Sequence, residues 1–515
     1  MTSVTRTERL WVLIFALGVM LLTWLPYALA WGNTPADSVF NGHLIGSEDG
    51  NSYIAKMRWG AFGHARFELF YTTEPHQGQA LIFPLHLLIG WLVGQAVGTD
   101  DPLVLHQALV MAYHLWRTVG GVALIMVYHA VFVRFLSSPT ERWLALGVCT
   151  LGGGLGIIAV GWGVIPPEMV IPEAFSFLSL LSLPHLLVAR ALLLGGMLAF
   201  LDGERRPNRY VWAGVAWNMM GMLVPFYLAL IGVLVGVYWL LSGWWCGFRW
   251  GILRGSFISV GMTLPLFGYY TWVFTTHAVF AQWSAQNLLP SPAVWVYLLS
   301  YGVMLVPCGF ALPSVFKIAQ QDRAWVWLIG WLVIVPVLVY APINVQRRLL
   351  EGVWVALVIL GVVGLRMIPR WGRLLVICAT LPTTLVLFLG ACMNHVEYYT
   401  PQSLQQAMVW LADQPTDRAI LTTRPIGNLV PMYASQRVFL GHGPETLYAT
   451  DKARQVADYL NGRMPLAERT QLYRTHTLGY VLDARTMPSR EGFPYPELTP
   501  QATFDNVTVY RIFNP

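Results

Sequence analysis

The sequence has few charged residues for its length. Asp, Glu, Lys and Arg make up 11% of its 515 residues, whereas soluble globular domains average about 25%. Hydrophobic residues make up 56% and the mean hydropathy is +0.54. The apolar residues occur in runs of about 20, the length that crosses the hydrocarbon core of a bilayer as a helix. This composition excludes an ordinary soluble protein and predicts a polytopic α-helical membrane protein.

Cysteine is also scarce, and its placement excludes two kinds of site. The five cysteines lie in or beside apolar runs, none has metal-ligand spacing, and the hydrophilic C-terminal stretch has none. We therefore expect small apolar packing residues rather than disulfides or a cysteine metal site. These residues are Cys149, Cys246, Cys308, Cys378 and Cys392.

The chain lacks a nucleotide-binding signature and a visible internal repeat. The glycine-rich run Gly152–Gly156 lies inside an apolar segment, with no preceding strand and no Gly-Lys-Ser/Thr. Close helix packing is the better interpretation of this run. The net charge of +6 does not indicate nucleic-acid binding, because excess Lys and Arg in a membrane protein usually mark cytoplasmic loops.

Hydropathy and loop charge predict about eleven membrane spans and a cytoplasmic N-terminus. Arg6 and Arg9 precede the first apolar run, which we interpret as an uncleaved span although residues 28–30 resemble a signal-peptidase site. Residues 79–97 are interpreted as an interfacial helix. If they crossed, the acidic turn at 98–102 would be cytoplasmic and the basic loop with Arg134 and Arg142 would be outside, against the usual charge distribution.

The predicted organisation has two parts. Residues 1–393 form a transmembrane domain, and its first outer loop, 32–109, carries amphipathic or interfacial helices. Residues 394–515 alternate helical patterns with short strand-like runs, which predicts a small α/β domain. Each span carries the chain to the other side of the membrane. Counting the predicted spans from a cytoplasmic N-terminus therefore places this domain outside the cytoplasm.

The segment Gly46–Arg58 follows the first span and carries two adjacent carboxylates, Glu48 and Asp49, between Gly46 and Gly50. Glycines at these positions permit an acidic loop that turns back towards the membrane surface. From Tyr53 onward the spacing of apolar residues predicts a short amphipathic helix. The segment is a candidate catalytic edge, and a solvated loop with ordinary surface acids is the alternative.

Other polar side chains are expected at the same outer face. They are candidates for substrate binding: Glu74, His76, Glu173 and His185. For Glu173 an equally good interpretation is an acid at a helix N-terminus, where the helix dipole favours negative charge.

Arg347 and Arg348 break the charge pattern, because parity places them on the otherwise acidic or neutral outer side. The planar guanidinium group suits phosphate and stays charged near lipid. We expect these two arginines to bind a phosphate. A structural pair between Arg348 and Glu351 at helical spacing is the alternative.

Three motifs together resemble the GT-C superfamily of integral-membrane glycosyltransferases, which includes protein O-mannosyltransferases and aminoarabinose transferases. The motifs are residues 48–57, 172–175 and 346–352. The resemblance extends to the architecture, with a cytoplasmic N-terminus, acids just after the first span and a hydrophilic outer domain at the end. It implies an enzyme of the bacterial cytoplasmic membrane that acts in cell-envelope glycosylation.

The resemblance also implies a chemistry. A sugar would pass from a polyprenyl-phosphate-linked donor to a lipid, glycan or protein acceptor, with inversion at the anomeric carbon. Asp49 matches the place of the family's general base best and Glu48 is second, and some members bind a divalent metal there, Mg or Mn. Arg347 and Arg348 would stabilise the leaving phosphate. A transporter or flippase of lipid-linked sugars is the alternative, although transporters usually place their charged groups near the bilayer midplane.

Overall fold

The computed structural model describes residues 4–74, 78–393, 395–484 and 493–513, and within these ranges the chain is mostly helical. The helices in the first half of the chain are α1 (Arg6–Gly32), α2 (Ser47–Ala61), α3 (Pro84–Val97), α4 (Pro102–Phe135), α5 (Pro139–Leu151), α6 (Pro167–Val170), α7 (Phe177–Ser182), α8 (Pro184–Asp202), α9 (Asn208–Leu223), α10 (Tyr227–Cys246) and α11 (Trp250–Gly261). Those in the second half are α12 (Leu264–Thr276), α13 (Ala278–Gln286), α14 (Val294–Gln321), α15 (Ala324–Leu338), α16 (Val353–Leu365), α17 (Arg370–Ala379), α18 (Pro382–Cys392), α19 (Gln402–Ala412), α20 (Arg424–Leu429), α21 (Ala449–Leu460) and α22 (Leu466–Thr475).

The strands form two small sheets. β1 (Ser38–Phe40) pairs antiparallel with β2 (Tyr399–Pro401). A four-stranded sheet near the C-terminus has the order β3-β4-β6-β5 and consists of β3 (Ala419–Leu421), β4 (Leu478–Asp483), β5 (Leu498–Phe504) and β6 (Val507–Ile512). β3 and β4 are parallel, and the other two pairings are antiparallel. The predicted fold class, a polytopic helical protein with a small C-terminal α/β region, is confirmed.

In the described part of the chain, eight helical segments are long and apolar enough to cross a membrane. A ninth is formed if α11 and α12, bent by 42° at their junction, count as one span. The sequence predicts about eleven. The two additional expected spans correspond to α9 and α15, which have only 16 and 15 residues, whereas a span needs about 20. α3, the expected interfacial helix, has 14 residues and is also shorter than a span.

The chain divides into two compact units. The first comprises Met1–Pro26, Leu115–Thr271 and Leu288–Met393, and the second comprises Tyr27–His114, Trp272–Asn287 and Asn394–Pro515. Within the second unit, the expected first outer loop therefore groups with the hydrophilic C-terminal segment. The expected domain boundary at residue 394 remains a prediction.

The first unit is organised around α16. All 13 residues of this helix are buried, as expected of a helix that is apolar on every side. It packs against α14, and the close approach depends on glycine, because a Cβ at Gly364 would overlap the carbonyl oxygen of Pro307. Two residues separate α16 from a preceding 3₁₀ turn, Gln346–Leu350, which carries the two candidate arginines.

The second unit places α2 against α3. A Cβ at Gly60 would overlap the Leu87 carbonyl oxygen, and a Cβ at Gly90 would overlap that of Met57, so small residues permit the close approach of the two helices. The four-stranded sheet has its own apolar core, formed with residues of α21 and α22. α2 carries the candidate catalytic acids.

Candidate active site

The two candidate acids lie in the first turn of a helix and not in a loop, which corrects the expectation from the sequence. Gly46 adopts the left-handed conformation, with φ 65°, and α2 begins at the next residue. Glu48 and Asp49 therefore lie at the positive end of the helix dipole, a common position for acidic side chains. Most residues of α2 are buried.

Glu48 is held by several hydrogen bonds within the second unit. Its carboxylate accepts two hydrogen bonds from the guanidinium group of Arg424, each 3.0 Å long. The backbone N–H of Gly443 donates to the same carboxylate at 2.9 Å, and the Asn428 side chain donates to the Glu48 carbonyl oxygen at 3.1 Å. These contacts assign Glu48 a role in joining α2 to the segments around residues 424 and 443.

Asp49 has a different partner. Nε2 of His442 lies 2.9 Å from Oδ1 of Asp49, and the Asp49 side chain is 53% exposed while that of His442 is 4% exposed. Burial alone would lower the pKa of His442, but the hydrogen bond to Asp49 and the charges of Glu445 and Asp49 raise it above its ordinary value. The arrangement presents a solvent-accessible carboxylate fixed by a buried imidazole.

A buried ion pair lies below this carboxylate. Nζ of Lys56, which is fully buried, is 2.7 Å from Oε1 of Glu445, and the Ser52 hydroxyl donates to the same oxygen at 2.9 Å. Lys56 also donates to Ser52, and its ammonium lies 4.4 Å from the ring centroid of Phe83. Burial would raise the pKa of Glu445, but Lys56 and then His442 lower it below its ordinary value. The pair anchors the loop that carries His442 onto α2.

The carboxylates do not form a metal-ligand set. Glu48 is occupied by Arg424 and Gly443, Asp49 is bonded to His442, and no group of three or more His, Cys, Asp or Glu side chains in the described ranges has a metal-binding arrangement. We therefore assign no chemical step to a metal here.

The two remaining candidates of the second unit are Glu74 and His76. Glu74 forms an ion pair with Lys452 at 2.6 Å, and it also accepts a hydrogen bond from Thr72. Burial would raise the pKa of Glu74, but Lys452 lowers it below the ordinary value. His76 lies outside the described residues. Glu74 is thus held mainly by protein partners.

The candidate arginines belong to the first unit. Nε of Arg348 lies 3.7 Å from Oε1 of Glu173, and the Arg348 guanidinium is 5.6 Å from the ring centroid of Phe226. Glu173 is buried, which raises the pKa of its carboxyl group, although Arg348 acts in the opposite direction. Arg347 is partly exposed, and its backbone N–H donates to the Leu289 carbonyl oxygen at 3.5 Å. The structure thus brings Arg348 and Glu173 together.

The alternative considered for Arg348, a structural pair with Glu351, is not what the structure shows for Glu351. The Glu351 carboxylate instead accepts two hydrogen bonds from Arg190, one of them 3.1 Å long, and a third from the Tyr227 hydroxyl at 2.5 Å. A bidentate arginine from α8 satisfies a fully buried carboxylate better than a partly exposed neighbour on the same turn. His185 lies buried in the first turn of α8.

Arg190 has a second role that the sequence analysis missed. It donates to the backbone carbonyl oxygens of Pro172, at 2.8 Å, and of Phe175, at 3.1 Å, on either side of Glu173. It therefore fixes the segment that carries this buried acid. The signal in the sequence was an arginine within an apolar run, which usually marks a paired or functional residue.

The sequence analysis also missed His442, Glu445, Lys56 and Arg424. His442 and Glu445 lie in the short segment Gly441–Thr446, which is polar and rich in glycine and proline and lies between a strand-like run and a helical pattern. Such segments often carry functional residues. Its pairing with α2, almost 400 residues earlier, has no local signature.

We predict that Lys56→Met destabilises the protein strongly. The substitution leaves Glu445 as an uncompensated buried charge, which typically costs about 3–5 kcal/mol. Thermal unfolding in detergent would measure the loss, and the control Lys56→Met with Glu445→Leu, which removes both charges, should recover much of it.

The pH dependence gives a second check. Glu445 has a lowered pKa in the native protein, so its stabilisation is present above the ordinary carboxyl pKa and is lost as the pH falls through the lowered value. Without Lys56, burial would raise the same pKa, and protonation would then stabilise the variant. The stability deficit of Lys56→Met should therefore shrink as the pH falls from about 7 to about 5. A deficit that is the same at both pH values would contradict the role of the pair.

The solved structures that are similar to this chain include three GT-C glycosyltransferases. AglB, an oligosaccharyltransferase from Archaeoglobus fulgidus in complex with an inhibitory peptide and a dolichol-phosphate, gives a TM-score of 0.56 at 11% identity, over 92% of this chain and 69% of that one. The arabinofuranosyltransferase AftD from Mycobacteria gives 0.58 at 16% identity, over 100% and 40%. ArnT from Cupriavidus metallidurans bound to undecaprenyl phosphate gives 0.51 at 14% identity, over 97% and 98%.

No family model matches the sequence, and no curated protein is significantly similar to it. The similarity to solved structures confirms the expected GT-C resemblance at the level of the fold.

Proposed function

We propose that the chain is a membrane glycosyltransferase that transfers a sugar from a polyprenyl-phosphate-linked donor. The fold supports the class of enzyme. The donor class is supported by two of the structural neighbours, since one was solved with a dolichol-phosphate and another with undecaprenyl phosphate. The observation that carries the proposal is the exposed carboxylate of Asp49, fixed by a buried histidine in the first turn of α2.

In the proposed reaction, Asp49 is the general base. An acceptor hydroxyl or amine attacks the anomeric carbon, its proton passes to the Asp49 carboxylate, and the bond between the anomeric carbon and the phosphate oxygen breaks. The electron pair of that bond leaves with polyprenyl phosphate, and the configuration at the anomeric carbon inverts. Glu48 is less suited to this role because its carboxylate already accepts hydrogen bonds from Arg424 and Gly443.

We expect Asp49→Asn to lower turnover by about 10²–10⁴-fold, the usual contribution of a positioned general base. Purified protein in nanodiscs would be supplied with a panel of undecaprenyl-phosphate-linked pentoses and hexoses and with extracted envelope glycolipids as acceptors. The readout is release of undecaprenyl phosphate, which a transporter of lipid-linked sugars would not produce. Asp101→Asn is the matched control, because Asp101 is an exposed acid of the same unit that bonds the backbone N–H groups at the start of α4, and asparagine caps equally well.

The same turnover assay distinguishes Asp49 from Glu48 as the general base. If Asp49→Asn retained turnover while Glu48→Gln lost it at normal thermal stability, the base would be Glu48. If the wild-type protein neither released undecaprenyl phosphate from any donor nor bound it, the proposed function would be wrong.

In the first unit, Arg347 and Arg348 are the proposed ligands of the donor phosphate. Arg348 is the stronger candidate, because its guanidinium group lies 3.7 Å from Glu173, another candidate for contacts to the substrate. A phosphate gains charge as the sugar departs, so a guanidinium group would bind it more strongly in the transition state than before it. Glu74, Glu173, His185 and His76 stay candidates for contacts to sugar or acceptor.

We predict that Arg348→Ala lowers turnover more than it weakens binding of undecaprenyl phosphate. Arg348→Lys should rescue only part of the loss, because an ammonium group lacks the bidentate fork. Arg249→Ala is the control, since Arg249 is exposed and pairs only at the surface with Glu204. If Arg348→Ala unfolded early and its folded fraction turned over normally, Arg348 would be structural.

We also propose that the segments containing Glu48, Glu173 and Arg347, together with residues 394–515, share the extracytoplasmic side of the membrane. In a variant without the five native cysteines, a membrane-impermeant maleimide should label Glu397→Cys on intact cells but not Arg206→Cys, since both positions are exposed and lie on opposite sides in the predicted topology. Labelling of only Arg206→Cys would reverse the proposed orientation.

A further inference from the structure

The imidazole of His442 has a defined tautomer. The backbone N–H of Glu445 donates to Nδ1 of His442 at 3.3 Å, and a backbone amide cannot accept a hydrogen bond at its nitrogen. Nδ1 therefore carries the lone pair, and in the neutral ring the proton is on Nε2. Nε2 faces Oδ1 of Asp49 at 2.9 Å, so the histidine donates and the carboxylate accepts.

The segment that carries His442 is itself fixed. The backbone N–H of Thr446 donates to the His442 carbonyl oxygen at 2.8 Å, and the backbone N–H of Gly441 donates to the Thr446 hydroxyl at 3.1 Å. Gln286 of α13 donates to the carbonyl oxygens of Pro444 and Thr446, at 2.9 and 2.8 Å. The imidazole is thus held by backbone geometry as well as by burial.

The ion pair described above continues this arrangement. Lys56 and Ser52 hold the side chain of Glu445, and the backbone of the same glutamate orients His442. Asp49, Ser52 and Lys56 are spaced three and four residues apart and therefore lie on one face of α2. One helix face thus contacts His442 and Glu445.

We propose that His442, as the Nε2–H tautomer, is the positioning residue for Asp49. Its hydrogen bond fixes the orientation of the carboxylate and favours the ionised form before the acceptor attacks. His442 takes no proton in this step, because its Nε2 is already protonated, and the proton from the acceptor stays on Asp49 until solvent removes it. The kinetic consequence rests on the proposed function, whereas the tautomer does not.

Kinetics of a double-mutant cycle test the role. With the undecaprenyl-phosphate-linked sugar that is turned over fastest, His442→Phe should lower kcat by about 10–100-fold, the value of one hydrogen bond to a charged group, and change KM little. His442→Gln should recover part of kcat, because its amide donates. In the Asp49→Asn background, His442→Phe should cause no further loss, since the residue acts only through Asp49. His395→Phe, at an exposed histidine of the same unit, should leave kcat unchanged.

Nitrogen NMR of histidine-labelled protein in nanodiscs tests the geometry without a substrate. At a pH at which His442 is neutral, its signal, identified by its loss in His442→Phe, should show a protonated Nε2 and a bare Nδ1, and Asp49→Asn should shift Nε2.

Negative results in these experiments would contradict different parts of the proposal. A protonated Nδ1, a normal kcat for folded His442→Phe, or an undiminished loss in the Asp49→Asn background would overturn the positioning role. Normal turnover by Asp49→Asn would instead overturn the proposed base.

Discussion

The ion pair between Lys56 and Glu445 is the interaction on which the candidate site depends. Both side chains are removed from water, and charges in that position are stable only when paired and hydrogen-bonded. Their 2.7 Å contact therefore requires α2 and the segment around residue 445 to meet in one register. Asp49 lies two helical turns before Lys56, and His442 lies three residues before Glu445. The register set by the buried pair is thus the register that brings the exposed carboxylate to its histidine.

Local features of the fold could be predicted from the sequence because they depend on local physics. The apolar runs, the helices at 402–412 and 449–460 and the strands at 478–483 and 507–512 follow from hydrophobic periodicity. β5 was not predicted, since it contains Pro500 and most of its residues are partly or fully exposed. The start of α2 was also missed. Gly46 and Gly50 are typical of a loop, whereas Gly46 in the left-handed conformation lets the helix begin at Ser47.

The partners of the site could not be predicted, because they are distant in sequence. Glu48 is bonded to Arg424, 376 residues later, and Asp49 to His442, 393 residues later. The spacing of residues along the sequence indicates neither pairing. The one pairing that local spacing did suggest, Arg348 with Glu351, fails for the same reason. Arg190, 161 residues earlier, donates two hydrogen bonds from its guanidinium group to the fully buried Glu351. Helical spacing carries no information about a partner so distant in sequence. Sequence reasoning therefore identified the polar residues better than their partners.

The difference between Glu48 and Asp49 follows from these distant partners and not from their positions. Both lie in the same helical turn and experience the same dipole. The planar fork of Arg424 engages both oxygens of Glu48, so both oxygens of that carboxylate already accept charge-assisted hydrogen bonds. His442 donates to one oxygen of Asp49, and the Asp49 side chain is more exposed than that of Glu48, 53% against 38%. A general base must accept a proton while the hydrogen bonds that hold its side chain persist. Of the two adjacent carboxylates, Asp49, held by the imidazole of His442, meets that requirement better, and Glu48, held by the guanidinium group of Arg424, serves the fold.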